Sequence, residues 1–199
     1  MMNVNEIISE QLNESARIKE LIRDTQTEQI GKVAEVIIQT IQKGGKVLVC
    51  GNGGSAADSQ HFVAEMVCRY LRERAPIPFI ALTTNSSVLT ATGNDYHFEK
   101  IFVRQVQAIG RVGDILFGIS TSGNSQNVLQ AFNKAKELGM TTVALTGNNG
   151  QLAEIGDYSI SVNSKETPRI QEGHITIIHI LCDLIESAVV EGKIKIDIS

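Results

Sequence analysis

The alternation of short apolar runs with helical stretches constrains the fold of this chain more than any other feature. Five runs rich in branched residues recur after the first forty or so positions, namely KVLVCG, PFIALTT, DILFGIS, TTVALTG and YSISV. Strand-length apolar runs separated by helices are typical of strand-helix-strand units, whose parallel strands are covered on both faces. The sequence therefore predicts an α/β fold of three layers, with a parallel sheet between two layers of helices.

Long helical segments flank these runs at both ends of the chain. Apolar residues from Val4 to Ile41 recur at three- and four-residue steps, which predicts two amphipathic helices that break around Arg23 to Thr27. The pair Gly44-Gly45 suits a helix C-cap. Arg169 to Val190 is predicted as one helix that is apolar most of the way round. A small sheet rarely buries so wide a surface, so we expect this helix and the N-terminal ones to pack against another subunit. The alternative is a central helix buried within one chain.

Length and charge limit the classes of function. The 199 residues predict a single domain, with a helical segment over 1–43 and an α/β core with its C-terminal helix over 44–199. A net charge of −4 argues against nucleic acid or an acidic membrane surface as a partner. No basic segment precedes an apolar run, and no apolar stretch approaches the roughly 18 residues of a spanning helix, so we expect a cytoplasmic protein. The three cysteines form no CxxC pair and are expected to be reduced thiols.

The first apolar run ends in a glycine-rich loop, GNGGSAAD, from Gly51 to Asp58. Gly53 and Gly54 let the backbone approach a ligand closely, and Ser55 could cap the helix that follows. The loop also satisfies the GxGxxG/A pattern of dinucleotide-binding folds, but the next strand ends in TTN instead of an acidic residue, which argues against nicotinamide binding. No lysine follows the glycines, so this is not a Walker A loop.

A second loop, STSGNS, follows the run DILFGIS directly. It places four hydroxyl groups within six residues at the start of a predicted helix, on Ser120, Thr121, Ser122 and Ser125. Hydroxyl donors at a helix N-terminus suit a phosphate group. The alternative is an ordinary serine-capped turn, which explains one or two of the hydroxyls. The density of donors favours phosphate binding.

The stretch SAADSQHFVAEMVCRY carries His61 and Glu65 four residues apart, and therefore on one face of a helix. That spacing is used by helix-borne metal ligands and also by an acid/base pair. The alternative is a solvated surface pair. The position of the pair favours a functional role, because the helix begins at the glycine loop and its first turns would border the same pocket. Arg69, one turn beyond Glu65, is near enough to assist a substrate phosphate, whereas the nearby Arg72 and Arg74 are expected on a solvated helix end.

Further polar candidates lie in RIQEGHITIIHIL and in GNDYHFEK. Gln171 and His179 are eight residues apart, and on one regular helix the rise would separate them by about 12 Å. They could then share one metal ion only if Gln171 precedes the helix or if the two come from different chains. Asn94 and Asp95, after another strand, could hold sugar hydroxyls or form a plain glycine-containing turn. His97 receives no role.

Together these stretches form a recognisable pattern. CGNGGSAADSQHFVAE, GND, GISTSGNS and RIQEGHITIIH, in this order, resemble the sugar isomerase (SIS) domain family, and within it the isomerases of sedoheptulose 7-phosphate. The resemblance covers nearly the whole chain, to about Ile185. It implies a flavodoxin-like, five-stranded parallel sheet in a homotetramer with active sites at subunit interfaces. The implied reaction converts sedoheptulose 7-phosphate to D-glycero-D-manno-heptose 7-phosphate through an enediol.

The resemblance also implies roles for individual residues. Glu65 and His179 match the acid/base pair. His61, Glu65, Gln171 and His179 match the ligands of a zinc ion. The substrate-binding positions that match are Asn52, Gly53, Gly54, Asn94, Asp95, Ser120, Thr121, Ser122, Ser125 and Gln171. We expect Ser55, Glu65 and Arg69 to contact the substrate as well. Pro168 departs from the pattern, since some members carry an acidic residue there.

Two other functions fit a chain with this resemblance. The first is a non-catalytic relative that binds the replication initiator DnaA, and the second is a regulator that senses sugar phosphates. The DnaA-binding relative lacks the acidic and histidine residues at the positions of Glu65 and His179, and both are present here. No DNA-binding segment is appended, which argues against the regulator. The sequence therefore favours the isomerase.

Overall fold

The computed structural model describes residues 3–148 and 150–194. One parallel sheet of five strands lies at its centre, in the order β2-β1-β3-β4-β5. Each predicted apolar run contains one strand, which confirms the predicted parallel sheet. The strands are β1 Val47–Gly51, β2 Phe79–Ala81, β3 Ile115–Ser120, β4 Thr141–Thr146 and β5 Tyr158–Ser161.

Helices cover both faces of the sheet, as predicted for three layers. Alternate strand residues face opposite layers, because side chains alternate along a strand. Val47 and Val49 join a core with α1, α2 and α7, whereas Leu48 and Cys50 join a core with α4, α5 and α6. The helices are α1 Val4–Gln42, α2 Gly54–Val67, α3 Ser86–Tyr96, α4 Val103–Ile109, α5 Gln126–Glu137, α6 Gln151–Ile155 and α7 Thr167–Val190, with a short 3-10 turn over Phe98–Lys100.

The N-terminal segment is one helix of 39 residues, so the predicted break around Arg23 to Thr27 is wrong. The polar residues there do not end the helix. Thr25 and Thr27 donate hydroxyl hydrogen bonds to carbonyls one turn earlier, and the side chain of Gln26 accepts the backbone N–H of Ser161 on the edge strand β5. The gap in the apolar repeat therefore marks a polar contact with the sheet edge.

Helix α1 ends as the glycine pair predicts. Lys43 is its C-cap, Gly44 follows with a φ of +80°, and the N–H of Gly45 donates to the carbonyl of Thr40. A left-handed glycine just after the last turn is a common helix ending. The chain then enters β1 directly.

Helix α7 begins at Thr167, two residues before its predicted start, with Pro168 in its first turn, where a missing N–H costs nothing. By length and composition it could span a membrane, with a mean hydropathy of 1.5 in its most apolar window. The expectation that no apolar stretch approaches the length of a spanning helix is therefore wrong. Half of that window is buried inside this structure, and Ile177 and Leu181 belong to the core shared with α1 and α2. A core helix passes the same test of length and composition.

Candidate active site

The glycine loop turns tightly from β1 into α2. A Cβ atom on Gly51 would lie 2.7 Å from the carbonyl oxygen of Ser55 and 2.9 Å from that of Ile119, so only glycine fits there. The N-cap of α2 is Gly53, with a φ of +55°. The predicted cap, Ser55, lies inside the first helical turn and is 3% exposed, so its assignment as the cap is wrong. No side chain caps this helix N-terminus.

Gln171 lies against the first turn of α2. A Cβ atom on Gly54 would lie 2.2 Å from Nε2 of Gln171, so the absence of a side chain at position 54 makes room for the amide. Gln171 is inside α7 and does not precede it. Its eight-residue separation from His179 corresponds to a rise of about 12 Å. Gln171 and His179 could therefore bind one metal ion only if they came from two different chains.

Three predicted site residues converge where α2 packs on α7. Nε2 of His61 lies 2.9 Å from Nε2 of His179 and 3.5 Å from Oε1 of Glu65. The short contact between the rings requires one imidazole nitrogen to donate and the other to accept. The Glu65 side chain is 22% exposed and that of His61 is 44% exposed. The fold thus brings a residue from 118 positions away to the pair that the helical spacing predicts.

The cluster of His61, Glu65 and His179 has the donor atoms of a zinc site. Among residues 3–148 and 150–194, no three His, Cys, Asp or Glu side chains form a ready metal site. With Zn–N distances of about 2.1 Å, two tetrahedral imidazole ligands lie about 3.4 Å apart. His61 and His179 hold their Nε2 atoms 2.9 Å apart, so a shift of a few tenths of an ångström would open that geometry. The donor set of two imidazoles and a carboxylate fits zinc.

The second loop gathers its hydroxyls at the start of α5. Oγ of Ser120 lies 2.9 Å from Oγ of Ser125 and 3.5 Å from Oγ of Ser122. Ser125 is the N-cap of α5, but its hydroxyl does not bond to the helix backbone. Oγ of Ser120 accepts the N–H of Gly123 and Oγ of Ser122 accepts that of Asn124, at 3.2 Å each, so the alternative of a serine-capped turn accounts for two of the four hydroxyls and leaves those of Thr121 and Ser125. Clustered hydroxyls at a helix N-terminus suit an anion.

A pair of amides links the two loops. Asn52, just after β1, and Asn127, in the first turn of α5, exchange hydrogen bonds of 2.9 and 2.8 Å between their side chains. Asn127 is 2% exposed. Sequence reasoning missed Asn127, and the only available signal was an amide in the first turn after the serine loop.

Lys165 was also missed. A cavity of about 460 Å³ lies beside the serine loop, lined by Thr121, Ser122, Asn148, Ser164, Lys165, Thr167 and Ile170. Lys165 supplies the cationic side chain of this cavity, from the irregular segment before α7, where no periodic pattern marks it. A larger cavity of about 610 Å³ lies between α4 and α5, and none of the predicted site residues lines it. The larger cavity therefore lies apart from the candidate site.

Asn94 and Asp95 lie elsewhere than expected. They are in the last turn of α3, so the expectation that they directly follow a strand, or form a glycine-containing turn, is wrong. Asn85 caps α3 with its side chain, and the helix continues through Gly93 to Tyr96. Both residues are exposed, and Asn94 donates a hydrogen bond of 2.8 Å to Asp95.

The expectation that Arg72 and Arg74 lie on a solvated helix end is wrong for Arg74. The helix stops at Val67, before Arg69. Arg69 is exposed and lies 3.4 Å from Glu73, whereas the side chain of Arg74 is 2% exposed. Arg74 donates to the backbone carbonyls of Glu65 and Met66, at 2.7 Å each. A buried guanidinium therefore caps the end of the helix that carries Glu65.

Comparison with known proteins places this chain in a family. Residues 11–147 match the family described as the SIS domain. A phosphoheptose isomerase of Aquifex aeolicus is 53% identical over 89% of this chain and 94% of its own length, and one of Clostridium acetobutylicum is 50% identical over 94% and 97%. The solved phosphoheptose isomerase of Neisseria gonorrhoeae is 44% identical, covers 93% of this chain and 100% of its own, and superposes with a TM-score of 0.89. The chain belongs to the SIS domain family and, within it, to the phosphoheptose isomerases, which are aldose-ketose isomerases.

Proposed function

We propose that this enzyme interconverts sedoheptulose 7-phosphate and D-glycero-D-manno-heptose 7-phosphate, the first step toward the heptose of lipopolysaccharide. The observation that carries the proposal is the convergence of His61, Glu65 and His179, with the glycine loop at the start of the same helix α2. The names of the relatives support the isomerase over the DnaA-binding alternative. A protein that only binds a partner has no use for a carboxylate and an imidazole held this way.

The reaction moves hydrogen between two adjacent carbons and their oxygens. In our proposal Glu65 removes a proton from C1 of the ketose, and the electron pair left behind forms the double bond of an enediol as O2 accepts a proton from His179. Glu65 then returns its proton to C2, while the O1 hydroxyl loses a proton to His179 and becomes the aldehyde. Both groups end as they began, so the cycle balances. An imidazole suits the second role because its pKa lies near the working pH.

The loops hold the phosphate end of the substrate. In the proposal, the hydroxyls of the serine loop and Lys165 bind the phosphate at the N-terminus of α5. Arg69 adds a cation from a second copy, because α2 separates it from the loops of its own chain by about 20 Å. Asn52 and the backbone of the glycine loop border the sugar chain, with Gln171 beside them. Asn94 and Asp95, exposed at the end of α3, are proposed to bind sugar hydroxyls.

We further propose one zinc ion, held by His61, Glu65 and His179. Gln171 could join it only from a second copy, because its own chain places it about two turns of α7 from His179. A bound zinc ion would polarise the carbonyl group and stabilise negative charge on the sugar oxygens. Zinc binding would occupy the same atoms of Glu65 and His179 that the proposed proton transfer uses.

A homotetramer with active sites at subunit interfaces completes the proposal. Ile180 and Leu184 on α7, each 41% exposed, border a cavity of about 330 Å³ that His179 also lines. On α1, Val4 and Leu12 are 67% and 66% exposed. A second copy packed on these apolar residues would close the site from outside. We also propose that the enzyme works in the cytoplasm on a soluble sugar phosphate.

The first experiment measures turnover of sedoheptulose 7-phosphate in deuterated water, with the label read at C2 of the product. We expect turnover with exchange in the wild type, and a loss of about 10²-fold or more in Glu65→Gln and His179→Ala. Glu137→Gln is the control, because its carboxylate is exposed at the far end of α5. A folded wild type that does not turn over this substrate contradicts the proposal, and a pull-down with the replication initiator then tests the alternative.

The metal is tested by chelation. Exhaustive treatment with a chelator should abolish turnover, and added zinc should restore it. Direct metal analysis of the purified protein should then give about one zinc per chain in the wild type and less in His61→Ala. An apo enzyme with full activity excludes zinc from the mechanism but leaves the isomerase proposal standing.

A further inference from the structure

Glu186 is a completely buried carboxylate near the site, with no part in the proposed proton transfer. It is 0% exposed and lies on α7, seven residues and hence about two turns after His179. Its oxygens accept backbone N–H groups from three consecutive residues, at 2.9 Å from Tyr70, 2.8 Å from Leu71 and 2.9 Å from Arg72. A buried carboxylate is costly unless it is paired and hydrogen-bonded, and this one is both.

Two arginines pair with Glu186: the half-exposed Arg72, with a guanidinium nitrogen 3.7 Å from Oε2, and the buried Arg74, which also caps α2. Nε of Arg74 lies 3.5 Å from Oε1 of Glu186, and its other nitrogens donate to the last carbonyls of α2, including that of Glu65. Glu186 and Arg74 thus join the end of the helix that carries Glu65 to the helix that carries His179. Both side chains are buried, so water screens little of their attraction.

The segment that Glu186 holds reaches the candidate catalytic histidine. Tyr70, whose N–H donates to Glu186, stacks its ring on the imidazole of His179, with the centroids 5.6 Å apart and an interplanar angle of 30°. Arg69, the proposed phosphate contact, precedes Tyr70. One carboxylate therefore fixes the backbone beside both the proton-transfer pair and a candidate substrate cation.

We propose that Glu186, acting with Arg74, is a positioning residue of the isomerase site, which sets the separation of Glu65 and His179 and the stacking of Tyr70. This inference rests on the proposed function. In Glu186→Gln an amide nitrogen replaces one acceptor, so one or more of the three backbone N–H groups lose their partner. The turn that holds Tyr70 then shifts, and displacements of about 1 Å at a catalytic pair can cost 10²-fold in rate.

The experiment compares Glu186→Gln with a matched control, Asp114→Asn. Asp114 is 3% exposed, accepts the backbone N–H groups of Lys46 and Arg111, and pairs with the Lys46 ammonium, but it lies just before the central strand β3, at the end of the strands opposite the loops. Both variants should lose stability in urea unfolding. At a temperature where both are folded, kcat per folded molecule should fall about 10- to 100-fold in Glu186→Gln and stay at the wild-type value in Asp114→Asn. Equal losses of kcat in the two variants, or a wild-type kcat in Glu186→Gln, overturn the positioning role.

A second readout does not depend on turnover. In protein labelled with ¹³C-histidine, the ring resonance of His179, assigned with His179→Ala, should move in Glu186→Gln because the Tyr70 ring current changes, and it should keep its position in Asp114→Asn. If Glu186→Gln does not fold, the Arg74→Lys variant replaces it. Lysine keeps the positive charge but lacks the guanidinium that donates to the last carbonyls of α2. An unmoved resonance overturns the inference. A wild type without isomerase activity contradicts the proposed function instead, and the resonance test still reports on the positioning.

Discussion

His174 is a fully buried histidine that the site does not use. It is 0% exposed, and neither ring nitrogen has a hydrogen-bond partner of good geometry among the described residues. Burial lowers the pKa of His174 to about 4, because the charged form loses its hydration, and the backbone of Thr146 offsets only part of that effect.

This burial predicts a loss of stability on mild acidification. The unfolded chain takes up a proton near the ordinary pKa of 6.5, whereas the folded chain resists until about 4, so the free energy of unfolding falls as the pH drops between these values. From pH 7 to pH 5 the fall is about 2 kcal/mol. Urea unfolding of the wild type and of His174→Leu at both pH values measures it. The variant should lack this part of the pH dependence, and an identical slope in both proteins contradicts the prediction.

His97, which received no role from its sequence, is strained. It follows α3 with a φ of 78° and a ψ of 156°, and it is the only non-glycine residue with positive φ among residues 3–148 and 150–194. This backbone region is essentially restricted to glycine and costs about 1–3 kcal/mol for other residues. A histidine gives no sequence signal for such a conformation, so only the structure shows it.

The strain predicts that His97→Gly stabilises the protein. Relief of the strain outweighs the added flexibility of the unfolded chain, which costs up to about 1 kcal/mol, so we expect a net gain of about 1 kcal/mol. His97→Ala is the control, because it removes the imidazole but keeps a Cβ atom and hence the strain. Thermal unfolding of the three proteins checks the order. An equal gain in the alanine variant would show that the imidazole, and not the backbone, is the source of the cost.

At the scale of elements, β1 and α5 are coupled through their amides. Asn52 and Asn127 bond to each other across the two loops that the proposal assigns to the substrate. Asn127 is buried, so a variant that breaks the pair leaves polar groups without partners. Asn127→Asp places an oxygen opposite the amide oxygen of Asn52, and the loops should separate.

We expect Asn127→Asp to raise KM for the sugar phosphate roughly fivefold, the effect of about 1 kcal/mol, with kcat unchanged. The loops hold substrate and transition state alike, and such uniform binding affects KM. Asn133→Asp, an exposed substitution on the same helix, serves as the control for the added charge. Steady-state kinetics of both variants decide, and a wild-type KM in Asn127→Asp would exclude the coupling.

Periodicity predicted most of the elements, and its failures have a common physical origin. The five strands are recognisable because each is a short, nearly continuous apolar run. The break predicted in α1 and the cap predicted for α2 are wrong because Gln26 meets β5 and Gly53 adopts a positive φ, and both depend on where the folded chain turns. Local patterns contain no information about such long-range contacts.

At the scale of the whole molecule, the site is only half predictable. The spacing of His61 and Glu65 puts them on one face of α2, and that pairing is confirmed. The contact of His179 with His61 depends on the packing of α2 on α7. The contact of Gln171 with Gly54 depends on the same packing. Glu186 and Arg74 gave no local signal, because a buried ion pair looks like surface charge in a sequence.

Apolar residues exposed on α1 and α7 are where we expect copies of the chain to assemble. If a second copy covers the apolar residues on α1 and α7, light scattering should give a mass near 86 kDa, four times the 21.6 kDa chain. Leu184→Glu places a charge beside the cavity that His179 lines, so it should lower both the mass and the activity. Val112→Glu is the control, since Val112 is 82% exposed in the turn before β3. A fully active wild type of 21.6 kDa would mean that one chain completes the site.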